Sequence, residues 1–240
     1  MIKPMERIII LCGGKGSRLR PLTSNLPKPL IPLHGKPVLE HIIEFYIKHG
    51  FKDFILCVGY CSEAVKGFVK KRGFDARIDI SDAGEKAGIL KRLHMVKDQI
   101  GEKAIVTYGD TYMNIDIAGM MKEHEKRRPL ATITIADVRS PFGLVGCSAD
   151  NRVTSFQEKP NLPYYIGHMV LERMALEEAK PSMVSLPDGE GLISLFQDLI
   201  KRRKLLAYKH EGLQITFNTL QEYREAETEF VKFFTQREEV

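Results

Sequence analysis

Short apolar runs alternate with amphipathic segments along the first hundred residues. Three continuous runs of strand length, 6–12 (ERIIILC), 53–59 (DFILCVG) and 104–108 (AIVTY), each end at or beside a glycine. Such runs are typical of strands buried on both faces of a parallel sheet. Residues 76–80 (ARIDI) alternate between apolar and polar, which predicts a further strand.

Between these runs, apolar residues recur at helical spacing. This pattern predicts helices from Lys36-Pro37 to Gly50, over 62–72 and over 88–98. Prolines at 27, 29 and 32 predict an extended, non-helical segment before the first helix. The alternation of strands and helices predicts a doubly wound parallel sheet, in which ligands bind beyond the carboxyl ends of the strands.

The second half of the chain is richer in consecutive strands. Its predicted elements are a helix at 116–127, strands at 130–138, 143–147, 152–157 and 164–171, a helix at 191–203, a strand at 204–209, an edge strand at 213–217 and a helix at 219–236. Strands that follow one another without helices indicate that part of the sheet is mixed. Without a linker or repeat, we expect one domain over 1–240.

Composition is that of an ordinary globular enzyme, with 43% hydrophobic residues, 28% charged residues and a net charge of +5. The mild charge and the lack of long basic blocks argue against nucleic acid as a partner and suit an anionic small molecule. No apolar run reaches the roughly 20 residues that cross a bilayer, and the start MIKPMERIII leads directly into a strand. We therefore expect no membrane association and a cytoplasmic location. The cysteines at 12, 57, 61 and 147 form no CxxC pair, which favours reduced thiols over a zinc site.

Candidate chemistry is concentrated in the segment 11–32 (LCGGKGSRLRPLTSNLPKPLIP), directly after the first strand. Glycine amides with cations beside them bind polyphosphates. Two common glycine motifs do not match: the dinucleotide motif GxGxxG continues into a helix, whereas GGKGSR is followed by prolines, and the P-loop requires GxxxxGK[ST]. A dinucleotide-dependent oxidoreductase is therefore disfavoured.

The same segment resembles the signature of the nucleoside-triphosphate-dependent sugar-phosphate nucleotidylyltransferases, LxxGGxG[ST]RLxPLT followed by KP. The matching residues are Leu11, Gly13, Gly14, Gly16, Ser17, Arg18, Leu19, Pro21, Leu22, Thr23, Lys28 and Pro29. Further matches follow in family order at Gly35-Lys36-Pro37, Val58-Gly59-Tyr60, Gly109-Asp110, Phe142-Gly143 and Glu158-Lys159-Pro160. The strings TYGD (107–110), AYKHEG (207–212) and NTLQE (218–222) most resemble the glucose-1-phosphate cytidylyltransferase branch.

This resemblance implies a fold and a reaction. The fold is a Rossmann-like, doubly wound mixed sheet of the nucleotide-diphospho-sugar transferase type, GT-A-like, in a single domain. The resemblance implies a nucleotide-binding half at 1–115 and an acceptor-binding half at 116–240. In the reaction, an acceptor phosphate attacks the α-phosphorus of a nucleoside triphosphate, here with CTP favoured, and pyrophosphate leaves. Positioning and charge neutralisation supply most of the catalysis in such transfers. The product would be an activated compound for surface-glycan assembly, and family members usually assemble into oligomers.

The resemblance also assigns residues to roles. The expected catalytic residues are Arg18 and Lys28 on the triphosphate, Asp110 on Mg²⁺ and Lys159 on the attacking phosphate. Nucleotide binding is expected at Leu11, Cys12, Gly13, Gly14, Lys15, Gly16, Ser17, Arg18, Lys28, Gly59, Gly88 and Asp110. Acceptor binding is expected at Gly143, Glu158, Lys159, Tyr165 and Gly167. Because Mg²⁺ takes one or two carboxylates plus phosphate oxygens, Asp110 and Asn218 are the candidate ligands.

Three departures from the family pattern leave alternatives open. Asn218 stands where the cytidylyltransferase branch has an aspartate, in a string like MDTLRD, so metal binding is weaker or is completed by Asp110 and the triphosphate alone. Tyr164 and Tyr165 replace an NGG-like string that contacts the sugar, which leaves a non-sugar acceptor, such as an amino-acid phosphate or a phosphocholine-like compound, as an alternative. The loop 82–93 (DAGEKAGILKRL) lacks a glycine pair beside the base, so another base remains open. A nucleotide-binding protein that has lost catalysis is the further alternative.

Overall fold

A computed structural model describes residues 6–238, with side chains as far as residue 232. Its strands are β1 Arg7–Cys12, β2 Pro32–Leu33, β3 Lys36–Pro37, β4 Asp53–Val58, β5 Arg77–Asp82, β6 Lys103–Tyr108, β7 Thr111–Met113, β8 Ala131–Arg139, β9 Leu144–Cys147, β10 Val153–Gln157, β11 Asn161–Glu172, β12 Leu205–Lys209 and β13 Gln214–Thr216. Its helices are α1 Val38–Lys48, α2 Ser62–Arg72, α3 Ile89–Met95, α4 Ile117–Arg127, α5 Arg173–Glu177, α6 Pro181–Val184, α7 Glu190–Lys201 and α8 Leu220–Glu238.

A seven-stranded mixed sheet forms the centre of the molecule, in the order β12-β8-β11-β6-β1-β4-β5. Strands β6, β1, β4 and β5 are mutually parallel, so that Ile9 lies between Ile55 and Val106. Strand β11 runs antiparallel to both β6 and β8, whereas β12 is parallel to β8. This confirms the predicted doubly wound mixed sheet: four parallel strands precede the change of direction at β11.

Alternate residues of the central strands face two separate apolar cores. Ile8 and Ile10 belong to the core that includes residues of α1 and α4, and Ile9 belongs to the core that includes residues of α3 and α7. Because successive side chains of a strand point to opposite faces, a continuous apolar run is what a sheet covered by helices on both faces requires. The run 6–12 is therefore buried for the predicted reason.

The structure corrects several element boundaries. Lys36-Pro37, predicted to begin the first helix, forms strand β3 opposite β2, and the helix begins at Val38. The proline segment is extended only in part, since residues 28–30 make a 3₁₀ turn; proline is tolerated in a first helical turn because its missing N–H has no partner there. The predicted edge strand 213–217 pairs instead with β7 in a separate two-stranded sheet. Strand β7 and the short helices α5 and α6 were not predicted.

Strand ends and returning segments place the chemistry on one edge of the sheet. Cys12 and Tyr108 end two neighbouring parallel strands and lead into the glycine segment and into Gly109-Asp110. The pairing of β13 with β7 brings Phe217 and Asn218 back to the same edge from about a hundred residues further along the chain. Among the helices of residues 6–238, none is long and apolar enough to cross a bilayer. The first five residues of MIKPMERIII lie outside the described part of the chain.

Candidate active site

A pocket of about 240 Å³ opens at the carboxyl ends of β1 and β6. It is lined by Leu11, Cys12, Gly13, Gly14, Gly16, Arg18, Leu19, Lys28, Pro29, Ile89, Arg92, Tyr108, Asp110 and Asn218. Cationic side chains and freed backbone amides line one pocket, as in sites that bind polyphosphates. Nine of the residues predicted from the sequence therefore meet here: Leu11, Cys12, Gly13, Gly14, Gly16, Arg18, Lys28, Asp110 and Asn218.

The glycine segment is shaped by one left-handed residue. Gly16 has a φ of 57°, a region that L side chains adopt only at a cost. A Cβ at Gly16 would also lie 3.1 Å from Cβ of Lys28 and from Cγ2 of Thr23. The Thr23 hydroxyl donates to the Gly16 carbonyl at 2.8 Å, which fixes the turn. The glycine therefore lets the loop fold back close to Lys28.

Arg92, on α3, fixes the other side of the loop. The residue is only 4% exposed. Its guanidinium donates to three backbone carbonyls, those of Val58, of Gly13 at 3.4 Å and of Gly84 at 2.9 Å. A Cβ at Gly59 would lie 2.6 Å from two of its nitrogens, and one at Gly13 would overlap its central carbon. Burial lowers the pKa of Arg92 from its ordinary range, because the charged form loses hydration.

Four polar side chains form a continuous network across the pocket. Lys28 Nζ lies 2.7 Å from Asp110 Oδ2 and 3.4 Å from Asn218 Oδ1. Arg18 Nη2 donates to the same amide oxygen at 3.0 Å. The Lys28 side chain is 7% exposed and its ammonium lies 5.4 Å from the Phe217 ring centroid, a cation–π distance. Asp110 thus neutralises a buried lysine while one of its edges stays open to the pocket.

The apolar side of the pocket is formed by Leu11, Ile89 and Tyr108. The Leu11 carbonyl accepts from the N–H of Gly109 at 3.0 Å, so β1 and β6 stay in register up to the pocket. Gly88 lies beside this wall; a Cβ there would lie 2.5 Å from the Leu186 carbonyl oxygen, so only glycine fits the close approach of the two segments. The thiol of Cys12 is buried, which raises its pKa well above the ordinary range and makes it an inert lining group.

The other predicted residues lie outside this pocket. The Lys15 side chain pairs with Glu85 at 2.6 Å on the surface, and Ser17 is exposed in the following turn. Glu158 and Lys159 follow strand β10, with side chains 64% and 49% exposed. Gly143 precedes strand β9 and is also exposed. The nucleotide half of the prediction is thus gathered in one place, whereas these acceptor residues do not line it.

Tyr165 and Gly167 contact the ring of Tyr108, which lines the pocket, but do not line the pocket themselves. A Cβ at Gly167, which has a φ of 75°, would meet the Tyr108 ring at 2.8 Å. The rings of Tyr108 and Tyr165 are edge to face with centroids 6.1 Å apart, and Tyr165 meets Phe196 in the same way at 5.6 Å. Burial raises the pKa of Tyr165 well above its ordinary range. The Tyr165 ring, in contact with both Tyr108 and Phe196, therefore fills the space behind Tyr108.

Arg92 and Tyr108 are site residues that the sequence-based assignment missed. Arg92 belongs to the string LKR, which marks only similarity to the cytidylyltransferase branch. No nearby carboxylate in the sequence indicates its burial, because all three hydrogen bonds of Arg92 end on uncharged backbone oxygens. Tyr108 was included in the TYGD string, at the end of a strand that was predicted as buried.

The pocket offers few protein ligands for Mg²⁺. No cluster of three or more histidine, cysteine, aspartate or glutamate side chains that could hold a metal occurs among the described residues. Asp110 is the one carboxylate among the described pocket-lining residues. This set fits Mg²⁺ only in the mode in which one carboxylate and the substrate's phosphate oxygens share the ion.

A mixed α/β sheet with a glycine segment, cations and one carboxylate at one edge is the arrangement of a polyphosphate-binding site. The chain matches the nucleotidyl transferase family over residues 7–231 and belongs to it, as one of the sugar-phosphate nucleotidyltransferases. The glucose-1-phosphate cytidylyltransferase of Salmonella typhi is 30% identical over 250 residues, covering 90% of this chain and 92% of that protein. The D-glycero-alpha-D-manno-heptose 1-phosphate guanylyltransferase of Campylobacter jejuni is 36% identical over 155 residues, covering 63% of this chain and 67% of that protein.

Solved structures support the fold. The crystal structure of HddC from Yersinia pseudotuberculosis has a TM-score of 0.74 and 22% identity, covering 94% of this chain and all of that one. The family match and the curated relatives confirm the resemblance inferred from the glycine segment. The solved structures confirm the GT-A-like, single-domain sheet. The family supports an enzyme of the EC 2.7.7 type.

Proposed function

We propose that the protein joins the cytidylyl group of CTP to a sugar 1-phosphate and releases pyrophosphate. The observation that carries this proposal is the pocket in which Arg18, Lys28 and Asp110 face the glycine segment. A phosphate oxygen of the acceptor attacks the α-phosphorus, and the bond from that phosphorus to the bridging oxygen of the β-phosphate breaks. The electron pair of that bond leaves with pyrophosphate, so that charge builds up where the cations lie.

Arg18 and Lys28 are proposed to bind the β- and γ-phosphates. Arg18 is exposed at the pocket mouth, whereas Lys28 is buried at its wall, so the two cations approach a triphosphate from different sides. The backbone of Gly13 and Gly14 supplies N–H donors without a side chain to keep phosphates away. Cations placed in advance need no reorganisation as the leaving group gains charge, which is the main source of rate in such a site.

Mg²⁺ is proposed as the cofactor, with Asp110 as its protein ligand. The ion, when bound, neutralises charge shared between the phosphate oxygens. The residues that remain must orient the acceptor, and Lys159 and Glu158 are the proposed contacts with its phosphate and hydroxyl groups. Both side chains are exposed after β10, so in this proposal they contact the acceptor from outside the nucleotide pocket.

CTP is favoured over other bases because the Salmonella typhi relative, similar over nine-tenths of the chain, is named a cytidylyltransferase. The guanylyltransferase of Campylobacter jejuni aligns over less of the chain, although its identity is higher there. A sugar 1-phosphate is favoured as the acceptor because both named relatives act on one.

The direct test is a matrix of pyrophosphate release. CTP, UTP, dTTP, GTP and ATP would each be incubated with glucose 1-phosphate, other sugar 1-phosphates, an amino-acid phosphate and phosphocholine. We expect the fastest release with CTP and a sugar 1-phosphate, loss of release in Asp110→Ala, and no loss in Asp150→Ala, a matched change of an exposed aspartate between β9 and β10. Preference for another base, or for a non-sugar acceptor, would refute that part of the proposal. Nucleotide binding without turnover in any pair would instead identify a binding protein.

A further inference from the structure

The side chain of Asn218 is directed at the two phosphate-binding cations. Its amide oxygen accepts from Arg18 at 3.0 Å and from Lys28 at 3.4 Å, across about two hundred residues of sequence. An amide oxygen has two lone pairs, so these two donors use its accepting capacity. In this arrangement Asn218 holds cations, and its oxygen is turned away from any role as a metal ligand.

The backbone around Asn218 is fixed from the side of α8. The N–H of Asn218 donates to Glu222 Oε2 at 2.6 Å, and the N–H of Glu222 donates to the Thr219 hydroxyl at 3.2 Å. These two bonds resemble a capping box at the start of the helix. They differ from it in that the Glu222 carboxylate accepts from Asn218, one residue before the N-cap Thr219. Neighbouring Phe217 is fully buried beneath the Lys28 ammonium. The amide is therefore held at the pocket wall by structure on both of its sides.

Because Asn218 is neutral, the charged side chains that line the pocket are mostly positive. Arg18, Lys28 and Arg92 line it with three positive charges, and Asp110 supplies one negative charge among the described lining residues. Asp110 is itself engaged by Lys28 at 2.7 Å. A cationic pocket with one engaged carboxylate attracts a polyanion strongly and a bare divalent cation weakly, because like charges repel.

We propose that Asn218 is a positioning residue that holds Arg18 and Lys28 for the triphosphate, and that the protein takes up a divalent cation only together with a polyphosphate. The inference rests on the proposed triphosphate site but not on the choice of CTP or of the acceptor. Asp110 is then the pocket's protein ligand for the ion, and the phosphate oxygens supply the remaining negative charge.

The test uses two probes that contain neither a base nor a sugar. Binding of inorganic tripolyphosphate is measured by calorimetry without metal, and binding of Mn²⁺ is measured by electron paramagnetic resonance with and without tripolyphosphate. Variants are Asn218→Ala, Asn218→Asp and Gln221→Ala. The last is a matched control at the start of the same helix, where the exposed amide bonds Glu225 and not the pocket.

The wild type and Gln221→Ala should bind tripolyphosphate alike and bind Mn²⁺ only when tripolyphosphate is present. Asn218→Ala should weaken tripolyphosphate binding by about tenfold, as expected for loss of an acceptor that orients charged donors. Asn218→Asp adds a second carboxylate to the pocket, with about four accepting positions, enough for the two cations and an ion. This variant should therefore acquire Mn²⁺ binding in the absence of tripolyphosphate.

Two results would overturn the inference: Mn²⁺ binding to the wild type alone, as tight as to Asn218→Asp, or unchanged tripolyphosphate affinity in Asn218→Ala. Circular dichroism of each variant shows that a loss of binding is not a loss of fold. If tripolyphosphate binds as expected but no nucleotide is turned over, the proposed function fails and the inference about Asn218 stands.

Discussion

Replacement of Arg92 by methionine tests how the glycine segment is held in place. Methionine keeps the aliphatic stem but removes every donor, so the carbonyls of Val58, Gly13 and Gly84 lose the guanidinium. The Gly13 carbonyl still accepts from the N–H of Tyr60 at 3.2 Å, and the Gly84 carbonyl from the N–H of Ala87 at 3.4 Å. A hydrogen bond to a charged group contributes about 1.5–3 kcal/mol to stability. Removal of a buried charge, and the backbone donors that Gly13 and Gly84 retain, offset part of the loss. Because one of the three bonds is long, at 3.4 Å, we expect the free energy of unfolding to fall by about 2–4 kcal/mol.

The assay is urea unfolding followed by circular dichroism and by fluorescence, with coincident transitions as the check for two-state behaviour. Lys91→Met is the matched control, since the adjacent lysine is exposed on the same helix and makes none of these bonds. Triphosphate affinity should fall with stability in Arg92→Met, because Gly13 is released. A free energy of unfolding within about 0.5 kcal/mol of the wild type would refute the reasoning, since changes of that size are typical of surface positions.

Three further predictions concern single residues elsewhere. Gly16→Ala should lower the free energy of unfolding by about 1–2 kcal/mol, because Gly16 has a positive φ, and should slow turnover by displacing Lys28. The control Gly67→Ala, on exposed α2, should leave stability unchanged or raise it in the same urea titration. Lys159→Ala should reduce turnover by orders of magnitude with an unchanged melting temperature, and Arg152→Ala, beside β10, should leave the rate unaltered; equal rates in both would remove Lys159 from the mechanism. Burial lowers the pKa of His168 from its ordinary 6.5 to about 3, so the histidine stays neutral when folded. The unfolded chain binds this proton below pH 6.5, so between pH 6.5 and pH 5 the free energy of unfolding should fall by about 2 kcal/mol, and a slope unchanged in His168→Gln would contradict this cause.

The fold was predictable where one physical requirement dominates the sequence. Strands β1, β4 and β6 are buried on both faces, which requires continuous apolar runs, and such runs are visible in the sequence. Strand β7 was missed because three residues are too few to show a hydrophobic periodicity. It forms by pairing with β13, which lies about a hundred residues further along the chain. Lys36-Pro37 was assigned to a helix because the apolar spacing begins directly after it, while its strand geometry comes from contact with β2.

The site, like the fold, was predictable only where the signal is local in the sequence. Local glycine chemistry indicated the phosphate pocket, because backbone amides and nearby cations act over a few residues of sequence. The contact between Asn218 and Arg18 joins positions about two hundred residues apart, and no local pattern reveals it. Arg92 was not predicted as a site residue for a related reason. Its partners are backbone carbonyls, which every residue possesses and which no sequence pattern marks. The acceptor assignments at Glu158 and Lys159 rest on motif order alone and stay predictions.

The central claim is transfer of a nucleotidyl group from CTP to a sugar 1-phosphate. Phosphorus-31 NMR of one reaction, with CTP, glucose 1-phosphate, Mg²⁺ and the purified protein, tests it most directly. We predict equal amounts of pyrophosphate and of a new diphosphate ester, with loss of both when Asp110 is replaced by alanine. Release of orthophosphate without the ester, or unchanged CTP at protein concentrations that bind it fully, would contradict the account.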